Sequence, residues 1–317
     1  MYTKIINKRK KGILIFSLIT LLTGCEAPLN LEGVDQERNK SVRRTDQLLG
    51  VAVSKDSVIV VGSDGVVLTS PVNELSWQRQ ELKSKPNFVD IETCPDSSLI
   101  ALSMESQLWI SHDQGQSWQS SDIPTQESLI TVTCGPDNSY WATGSFSTLM
   151  NSQDQGKSWN ELSLNEDAAI ASLQFLDNQN LIATGEFGLL ARSEDGGQNW
   201  TLLDPIPNEF FPMTSYFSDS TTGWVAGLGG IILTTTDGGL SWQKQATPTE
   251  SPIYNFYVSG SRLFAFGDHG TVLEQQSGNW VRLDTPKIPV YLRDGKQLDA
   301  KRLLVSGGWG SLFTVDI

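Results

Sequence analysis

An eight-residue pattern, S/T-x-D-x-G-x-x-W, recurs along this chain at a nearly constant interval. Its four full copies begin at Ser111, Ser152, Ser193 and Thr235 and end at Trp118, Trp159, Trp200 and Trp242. With Trp77 and Trp280, which end two degenerate copies, the tryptophans are separated by 41, 41, 41, 42 and 38 residues. A fixed period of this length is typical of a fold built from stacked or radially arranged repeats.

The fixed residues of this pattern suit a turn. The Ser or Thr hydroxyl and the Asp carboxylate can accept hydrogen bonds from backbone N–H groups, the Gly supplies a positive φ, and the Trp fills a gap between units. Calcium ligands must converge on one point, whereas one Asp per repeat is spread around the whole fold. We therefore predict structural roles, with no metal, cofactor or catalytic function, for the Asp and Trp residues of the four copies: Asp113, Trp118, Asp154, Trp159, Asp195, Trp200, Asp237 and Trp242.

A second repeat, of Gly residues in G-x-x-G spacing, supports the same period. Short apolar runs flank each pair, for example residues 58–61 and 66–68, as in a β-hairpin with a two-residue tip. The seven pairs, two of them relaxed to Ser, are Gly62/Gly65, Ser103/Ser106, Gly144/Ser147, Gly185/Gly188, Gly227/Gly230, Gly267/Gly270 and Gly307/Gly310.

Each complete unit therefore holds an inner strand, a second strand, the Gly hairpin, a third strand, the Asp-containing turn and an outer strand. Four strands in each repeat correspond to one blade of a propeller, and no competing helical periodicity follows residue 45. The sequence predicts an all-β fold, a seven-bladed β-propeller with four-stranded antiparallel blades, over residues 46–317. The inner strands of the first six blades are predicted at 48–53, 88–93, 129–134, 170–175, 213–218 and 253–258.

Blade seven lacks the Trp pattern after its predicted third strand, residues 311–315. An unpaired blade edge invites pairing with other chains, so a donor of the missing outer strand is expected. Residues 35–46 are the nearest segment, although DQERNKSVRRTD is a poor strand former. Two outcomes stay open: this segment closes blade seven, or blade seven has three strands.

The first 25 residues have the pattern of an export signal. A basic stretch, 8–11, precedes the apolar run 12–22, which is too short to span a bilayer. The tetrad LTGC that ends at Cys25 resembles the lipobox of bacterial lipoproteins, which implies cleavage before Cys25 and its lipidation. The residue after Cys25 is Glu26 and not Asp, and in this it resembles the pattern of lipoproteins that are released to the outer membrane. We predict a signal peptide at 1–24, lipidated Cys25 and a flexible tether at 25–45, on the periplasmic face of the outer membrane of a bacterial cell envelope.

The net charge argues against a nucleic-acid partner. Removal of residues 1–24 takes away five basic residues and no acidic one, which leaves 18 basic and 36 acidic residues and a formal net charge of −18. Such a surface repels phosphate backbones and anionic lipid head groups. We expect the domain to contact the membrane through its lipid anchor and tether alone.

Two cysteines, Cys94 and Cys134, fall at nearly equivalent places near the ends of the inner strands of blades two and three. In an oxidising compartment they could form a disulfide between adjacent blades, or they could stay as buried thiols. The sequence leaves both possibilities open.

Two blocks of the chain resemble the repeat of a known propeller family. GEFGLL at 185–190 leads into DGGQNW at 195–200, and WVAG at 224–227 leads into DGGLSW at 237–242. These blocks are similar to photosystem II assembly and stability factor propellers and their relatives in non-photosynthetic bacteria, and the resemblance covers 46–317. It implies a non-catalytic protein that binds and positions an envelope or membrane protein. That partner would be a membrane complex under assembly or an exporter of the resistance-nodulation-division (RND) kind.

The Asp-containing turn alone is also similar to that of bacterial sialidases. A sialidase needs three convergent arginines, a Tyr nucleophile with a neighbouring Glu, and an Asp acid. No arginine occurs at a hairpin tip, which argues against a sialidase site. The photosystem II family has an arginine-rich patch on one face, and this chain lacks it. The resemblance to that family therefore extends to the fold and to protein binding, but not to the identity of the partner. A sialidase-type glycoside hydrolase or glycan-binding propeller is the alternative. The residues weighed for it are Tyr216, Tyr254, Tyr257 and Tyr291 on inner strands, and the scattered Arg79, Arg192, Arg262 and Arg282.

The hairpin tips and the loops between blades are expected to converge on one face near the propeller axis. Acids and aromatic rings there suit a cationic or amphipathic partner segment, although solvent exposure alone also makes tips polar. The 204–212 loop adds two adjacent Phe, of which one could fill the gap between blades four and five. Asp268 and His269 are expected to point apart and not to contact each other. The predicted rim consists of Asp64, Glu105, Phe146, Glu186, Phe187, Phe210, Phe211, Asp268, His269 and Trp309.

The lipobox generates the first testable prediction. Cys25→Ser removes the sulfur that accepts the lipid, so the variant should incorporate no labelled fatty acid and should accumulate as a precursor. Metabolic labelling and membrane fractionation measure both effects. Normal labelling of the variant would remove the lipoprotein assignment.

Overall fold

The computed structural model describes residues 31–208 and 210–317. The chain divides into two compact units, 1–38 and 39–317. The predicted signal peptide, Cys25 and the first part of the tether lie outside the described residues. No helix among the described residues is long and apolar enough to cross a bilayer.

Within the first unit the described structure is one short helix, α1 (Glu32–Arg38), none of whose residues is buried. Acidic Glu32 and Asp35 occupy its first turn and Arg38 its last, the arrangement that the helix dipole favours. This helix lies within the predicted tether, residues 25–45, whose flexibility stays a prediction. The propeller unit begins at residue 39, seven residues before the predicted boundary.

The second unit is a seven-bladed propeller of antiparallel sheets, each with its strands in chain order from the axis outward, which confirms the predicted fold. Blades one to four hold sixteen strands: β1 (Leu48–Ser54), β2 (Ser57–Gly62), β3 (Val66–Pro71), β4 (Gln78–Glu81); β5 (Phe88–Thr93), β6 (Leu99–Ser103), β7 (Gln107–Ser111), β8 (Gln119–Asp122); β9 (Leu129–Cys134), β10 (Tyr140–Gly144), β11 (Thr148–Ser152), β12 (Asn160–Ser163); β13 (Ile170–Phe175), β14 (Leu181–Gly185), β15 (Leu190–Ser193) and β16 (Thr201–Leu202).

Blades five and six have four strands and blade seven has three. The predicted donor segment for blade seven, residues 35–46, forms no strand, because part of it is helical and the rest packs beside blade one. The eleven strands are β17 (Pro212–Phe217), β18 (Gly223–Gly227), β19 (Ile232–Thr235), β20 (Gln243–Gln245); β21 (Ile253–Ser259), β22 (Arg262–Gly267), β23 (Thr271–Gln276), β24 (Asn279–Arg282); β25 (Leu292–Gln297), β26 (Arg302–Gly307) and β27 (Leu312–Asp316).

The Gly hairpins join the second and third strands of each blade. Four of them contain a three-residue 3₁₀ turn, such as Ser63–Gly65, in place of the predicted two-residue tip. The first Gly of each pair is extended, and a Cβ on Gly62 would collide with the carbonyl oxygen of Gln47, just before the inner strand. The second Gly is left-handed, with φ +72° at Gly65. At Gly62 the fold thus leaves no room for a side chain, whereas blade two accommodates Ser103 at the equivalent position; the second position has a positive φ, also at Ser106.

The Asp-containing turn joins the third and outer strands and is held by its own side chains. In blade two the Ser111 hydroxyl accepts the N–H of Gly115 at 2.8 Å, and the Asp113 carboxylate accepts the N–H of Ser117 at 2.8 Å. In blade three the hydroxyl and N–H of Ser158 lower the pKa of Asp154 to about 2. These contacts use the carboxylates inside the turn, as the structural interpretation requires.

The tryptophans of the turns lie between blades, though only partly buried. Trp118 packs with Phe88 of its own blade and belongs to a core that includes Ile59 of blade one. The side chains of Trp118, Trp159, Trp200 and Trp242 are all half-buried, so they fill the gaps between units only in part. The outer ends of the blades diverge, so one edge of each ring stays in solvent.

Contacts other than a shared strand join blade seven to blade one. The N–H of Gly310 at the seventh tip donates to the Asp46 carbonyl at 2.8 Å, as Gly65 at the first tip donates to Pro86 of blade two at 2.7 Å. Asp294 of blade seven accepts the Val51 N–H of blade one at 2.8 Å. The last junction thus repeats the bonding of the others.

A buried ion pair fixes the segment that leads into blade one. Arg79 on β4 donates to both carboxylate oxygens of Asp46, at 2.8 and 3.1 Å, and the Asp46 side chain is 3% exposed. Asp46, whose carbonyl oxygen accepts the hydrogen bond from Gly310, is therefore held by a bidentate ion pair with Arg79.

A disulfide links blades two and three at the ends of their inner strands. Cys94 and Cys134 are bonded, with their Cα atoms 5.3 Å apart. The sequence left open whether these cysteines form a disulfide or stay as thiols. They form a disulfide because the inner strands of blades two and three end at the same level along the propeller axis.

Adjacent glycines in the turn of blade four provide a matched test of packing between blades. Gly196 and Gly197 both have positive φ, but a Cβ on Gly197 would overlap the Trp141 ring of blade three, whereas one on Gly196 would meet only the Asn178 oxygen at 3.3 Å. Gly196→Ala should cost about 1 kcal/mol of stability, and Gly197→Ala about 2 kcal/mol more. Urea unfolding measures the difference; equal losses would contradict this packing.

The entry ion pair gives a second stability prediction. Asp46→Asn removes the bidentate partner of buried Arg79, which keeps only the more exposed Glu81 at 2.8 Å, and should lower the free energy of unfolding by about 2 kcal/mol. Asp35→Asn is the control, because its pair with Arg38 is long, 3.8 Å, and exposed, and should change stability by less than about 1 kcal/mol. Thermal and urea unfolding of both variants compare them; similar effects would show that the entry pair does not secure the ring.

Candidate partner-binding face and central channel

The hairpin tips and the segments that enter the inner strands lie at the same end of the propeller, because each tip is bonded to its own entry segment. In six of the blades the N–H of the first tip residue donates to that segment, as from Ser63 to Gln47 at 3.1 Å and from Gly308 to Tyr291 at 3.1 Å. This end, the tip face, surrounds one mouth of the central channel.

The predicted rim residues at the tips lie on this face with different exposures. The aromatic side chains are open to solvent: Phe146 is 57% exposed, Phe187 62% and Trp309 64%. Asp64, Glu105 and His269 are exposed, and Glu186 and Asp268 are half-buried. Glu105 and Glu186 also hold entry segments, through the N–H groups of Asn87 at 3.2 Å and Ala169 at 2.9 Å.

Several bulky tip residues adopt the left-handed backbone conformation. Phe146, Phe187, His269 and Trp309 have φ between 51° and 56°. This conformation costs a non-glycine residue roughly 1–2 kcal/mol, and Gly229 occupies the equivalent place in blade five at φ +65°. The fold therefore tolerates glycine here, and the aromatic tips are neither required by the backbone nor stabilised by burial.

The two adjacent Phe of the 204–212 loop separate. Phe210 is 9% exposed and packs with Ile182 and Phe217 in the core between blades four and five, so it is not a surface residue of the rim. Phe211 is half-buried at the channel mouth and meets exposed Phe187 edge-to-face at 6.2 Å. The predicted pair thus divides into one core residue and one surface residue.

Asp268 and His269 contact each other, contrary to the sequence-based expectation. The Nδ1 atom of His269 lies 3.1 Å from the Asp268 carboxylate. Side chains alternate along a strand, but this pair is in the turn, where the left-handed backbone of His269 brings both to the same side.

The channel wall has three layers, because every inner strand carries a β-bulge at its second residue. The bulged residues line the mouth on the tip face: Leu49, Val89, Ile130, Ala171, Met213, Tyr254 and Arg293. The next residues form a polar belt: Gly50, Asp90, Thr131, Ser172, Thr214, Asn255 and Asp294. Two positions further on, the far layer contains Glu92, Thr133, Gln174, Tyr216, Tyr257 and Lys296, and blade one contributes Val53.

The belt satisfies backbone N–H groups along the inner edges of the blades. Asp90 of blade two accepts the Thr131 hydroxyl at 2.6 Å and the Val132 N–H of blade three at 3.0 Å. Thr214 accepts the N–H of Phe256 in blade six at 3.2 Å. The belt separates a mouth pocket of about 280 Å³ on the tip face from a far pocket of about 550 Å³.

Arg293 is a mouth residue that sequence reasoning missed. It is half-buried in the mouth pocket and donates to the Tyr254 carbonyl oxygen at 3.4 Å; Tyr254 in turn meets Tyr291 edge-to-face at 6.4 Å. The sequence predicted inner strands for the first six blades only, and Arg293 is the second residue of the seventh inner strand, where the bulge turns it toward the channel.

Two carboxyl groups of the channel are perturbed. Burial raises the pKa of Asp90, against hydrogen bonds from Thr131 and Val132. Burial also raises the pKa of Glu92 to about 7, against a hydrogen bond from Thr133. Among the described residues, no group of three or more His, Cys, Asp or Glu side chains could hold a metal ion.

Comparisons with solved structures show several propellers similar to this chain. A structure titled "YCF48 bound to D1 peptide" is 16% identical, with TM-score 0.71, and the match covers 88% of this chain and 94% of that chain. YCF48 from Cyanidioschyzon merolae is 16% identical, with TM-score 0.68 and coverages of 86% and 96%. Virginiamycin B lyase from Staphylococcus aureus is 13% identical, with TM-score 0.74 and coverages of 88% and 98%.

A family model supports the resemblance inferred from the repeats. The model described as photosynthesis system II assembly factor YCF48 matches residues 110–208, from the third strand of blade two into the loop before blade five. No curated protein sequence matched the chain. The sequence-based resemblance is confirmed: the chain is a seven-bladed propeller similar to the photosystem II assembly factor family, whose model matches its residues 110–208.

Proposed function

We propose that this chain is a non-catalytic propeller that binds and positions a segment of a protein partner on its tip face. The observation that carries the proposal is the set of exposed aromatic residues in left-handed conformations, Phe146, Phe187 and Trp309. Their strain and exposure are unfavourable in the isolated domain. A partner that covers them would recover burial energy, as aromatic residues do at interface hot spots.

The charge and shape of the face indicate the kind of segment that it binds. Acidic Asp64 and Glu105, at the tips of blades one and two, lie between the aromatic tips of blades seven and three, and the chain has a formal net charge of −13. A cationic or amphipathic segment would gain from both the charges and the rings. The mouth pocket beside Phe211 offers an apolar side chain a place to insert.

A similar structure supports partner binding by a propeller of this kind. Its title records YCF48 with a D1 peptide bound. At 16% identity the similarity concerns the fold, so the peptide itself is not transferred to this chain. The proposed partner is an envelope or membrane protein, either a complex under assembly or an RND-type exporter.

The proposed location follows from the N-terminal signal. A lipid on Cys25 would hold the propeller at the periplasmic face of the outer membrane, and residues 26–45 would give it reach. Such an anchor would confine the tip face to partners in the same compartment.

The glycan alternative retains one specific feature. Tyr254, Tyr291 and Arg293 meet at the channel mouth near the Asp268–His269 pair. Arg293 is the one arginine in the lining of the mouth pocket, whereas a sialidase uses three. Virginiamycin B lyase, which shares the fold, is an enzyme by name. Turnover of a sialoside or another glycoside by the purified domain would favour the enzyme.

The partner surface can be tested because its two central rings contact each other. Phe187→Ala with Phe211→Ala should weaken the affinity for the envelope partner by at least about thirty-fold, since truncation of a single central aromatic residue typically costs about 2 kcal/mol. The melting temperature should change little, because neither side chain is in the core. Quantitative pull-down from detergent-solubilised envelopes measures the loss.

Phe210→Ala is the matched control, since this neighbour is buried. It should lower the melting temperature and leave the partner affinity of the folded protein intact. If the double variant binds normally, or if Phe210→Ala alone removes binding from folded protein, the tip face is not the partner surface.

A further inference from the structure

The tip face has two halves that differ in charge. Around the ring, the tip of each blade lies between its own entry segment and that of the next blade, as Ser63 and Gly65 show by their bonds to Gln47 and Pro86. One half, which we call the acidic arc, runs from the tip of blade two to the entry segment of blade six. It consists of residues 104–106, 123–128, 145–147, 164–169, 186–188, 203–208, 210–211, 228–230 and 246–252. The opposite arc consists of the tips of blades six, seven and one and the entry segments of blades seven, one and two, residues 268–270, 283–291, 308–310, 39–47, 63–65 and 82–87.

All the charged residues of the acidic arc are acidic. They are Glu105, Glu127, Glu166, Asp167, Glu186, Asp204 and Glu250. In the described part of the chain, no basic side chain lies at ion-pair distance from any of them. The opposite arc contains six Lys or Arg residues and four acidic residues: Lys40, Arg43, Arg44, Lys83, Lys85, Lys287, Asp46, Asp64, Asp268 and Asp284. The formal charges of the two arcs are therefore −7 and +2.

The exposed apolar side chains of the tips lie mostly in the acidic arc. Each tip of blades two to five carries one, between 53% and 68% exposed: Met104, Phe146, Phe187 and Leu228. The channel mouth continues this surface, because the bulged residues of the same blades are apolar: Val89, Ile130, Ala171 and Met213. Blades six and seven place the polar side chains of Tyr254 and Arg293 at the mouth instead. The acidic arc is thus also the apolar side of the face, and contiguous exposed apolar surface marks binding sites.

This combination of apolar surface and carboxylates selects the charge of the occupant. An uncharged apolar segment would take water from the carboxylates without giving them a partner, which is unfavourable. An acidic segment would be repelled by the seven negative charges. A basic segment offers ammonium or guanidinium groups to the carboxylates, and its aliphatic stems and cations pack favourably against Phe rings. Charge complementarity therefore favours a basic amphipathic segment.

We propose that the acidic arc binds a basic amphipathic segment of the protein partner. Lys or Arg side chains of the segment pair with the carboxylates of the arc, and an apolar side chain enters the mouth pocket beside Phe211. This inference rests on the proposed function and narrows it to one half of the tip face and one sign of charge. The segment lies along the tips of blades two to five, so Trp309 in the opposite arc is outside its contact.

Biolayer interferometry with immobilised peptides tests the proposal on the purified propeller. The probe biotinyl-GKFKGKFKG-amide carries both Lys and Phe side chains and should bind to the wild-type protein. Counterparts in which Glu replaces every Lys, or Ser replaces every Phe, should bind at least about ten-fold more weakly, because each lacks one of the two features that the arc matches. Association of the Lys probe should slow as salt is added, since exposed charges are screened.

Two triple variants with the same change of net charge test the role of the carboxylates. The tip-face variant carries Glu166→Gln, Asp167→Asn and Glu250→Gln, three exposed positions of the acidic arc. It should associate with the Lys probe about ten-fold more slowly, with little change in dissociation, because exposed charges mainly steer association. The control carries Asp56→Asn, Glu161→Gln and Glu194→Gln, exposed positions away from the tip face. It should change the association rate by less than about two-fold.

Two similarly exposed aromatic tips locate the contact. Phe146 in the acidic arc is 57% exposed with φ 51°, and Trp309 in the opposite arc is 64% exposed with φ 54°. Phe146→Ala should weaken binding of the Lys probe by at least about ten-fold, as expected for an aromatic residue inside the contact, whereas Trp309→Ala should change it by less than about two-fold. Because the two side chains match in exposure and backbone conformation, a difference in binding reports their position on the face.

The proposal is overturned if the Glu peptide binds as tightly as the Lys probe, if the two triple variants behave alike, or if Trp309→Ala weakens binding as much as Phe146→Ala. Salt-sensitive dimerisation of the propeller that the tip-face triple variant abolishes would also overturn it, because a second copy would then occupy the arc. The envelope pull-down with the Phe187/Phe211 double variant decides the proposed function separately. If that variant loses the partner while the Lys probe does not bind to the wild-type protein, the assignment of the acidic arc alone fails.

Discussion

A recurring backbone hydrogen bond from a hairpin tip to the entry segment of the next blade, made at the tips of blades one, three, six and seven, organises this propeller. Gly65 donates to Pro86 at 2.7 Å, Ser147 to Ala168 at 2.6 Å, and Gly310 of blade seven to Asp46 before blade one at 2.8 Å. Because the last junction uses the same bond as the others, the ring closes without a strand exchanged between its ends. The left-handed Gly at the tip leaves room for this approach, and the Asp46–Arg79 pair holds the acceptor.

A second backbone requirement shapes the channel. The innermost strand of each blade is an edge strand, and its free N–H groups would face the axis unpaired. A bulge on each inner strand turns one residue toward the mouth and the next into the belt, where side chains such as Asp294 and Thr214 bond the neighbouring blade. The belt separates two pockets of different chemistry. The two channel pockets on either side of the belt are thus consequences of one solution to the edge problem.

The candidate site was partly predictable from sequence. The tip aromatics were placed correctly because the Gly spacing sets the hairpins, and Phe146, Phe187 and Trp309 lie between those Gly residues. The sequence could not predict which of the adjacent Phe210 and Phe211 is buried. In the structure the space between blades four and five accommodates Phe210, and Phe211 stays at the surface against Phe187. Arg293 was missed since a bulge reverses the side on which a strand residue emerges. The Asp268–His269 contact was misjudged because strand alternation does not extend into a turn.

The sequence by itself determined the blade count, the inner strands to within a residue or so, and the roles of the Asp-containing turns, since each depends on short-range turn chemistry repeated at a fixed period. The tertiary structure alone decided the ring closure, the Cys94–Cys134 disulfide, the half-burial of the turn tryptophans and the environment of Glu92. These features depend on distances between blades 40 or more residues apart in the chain. A repeat specifies the backbone of each unit, and only the assembled ring determines which side chains of different units meet.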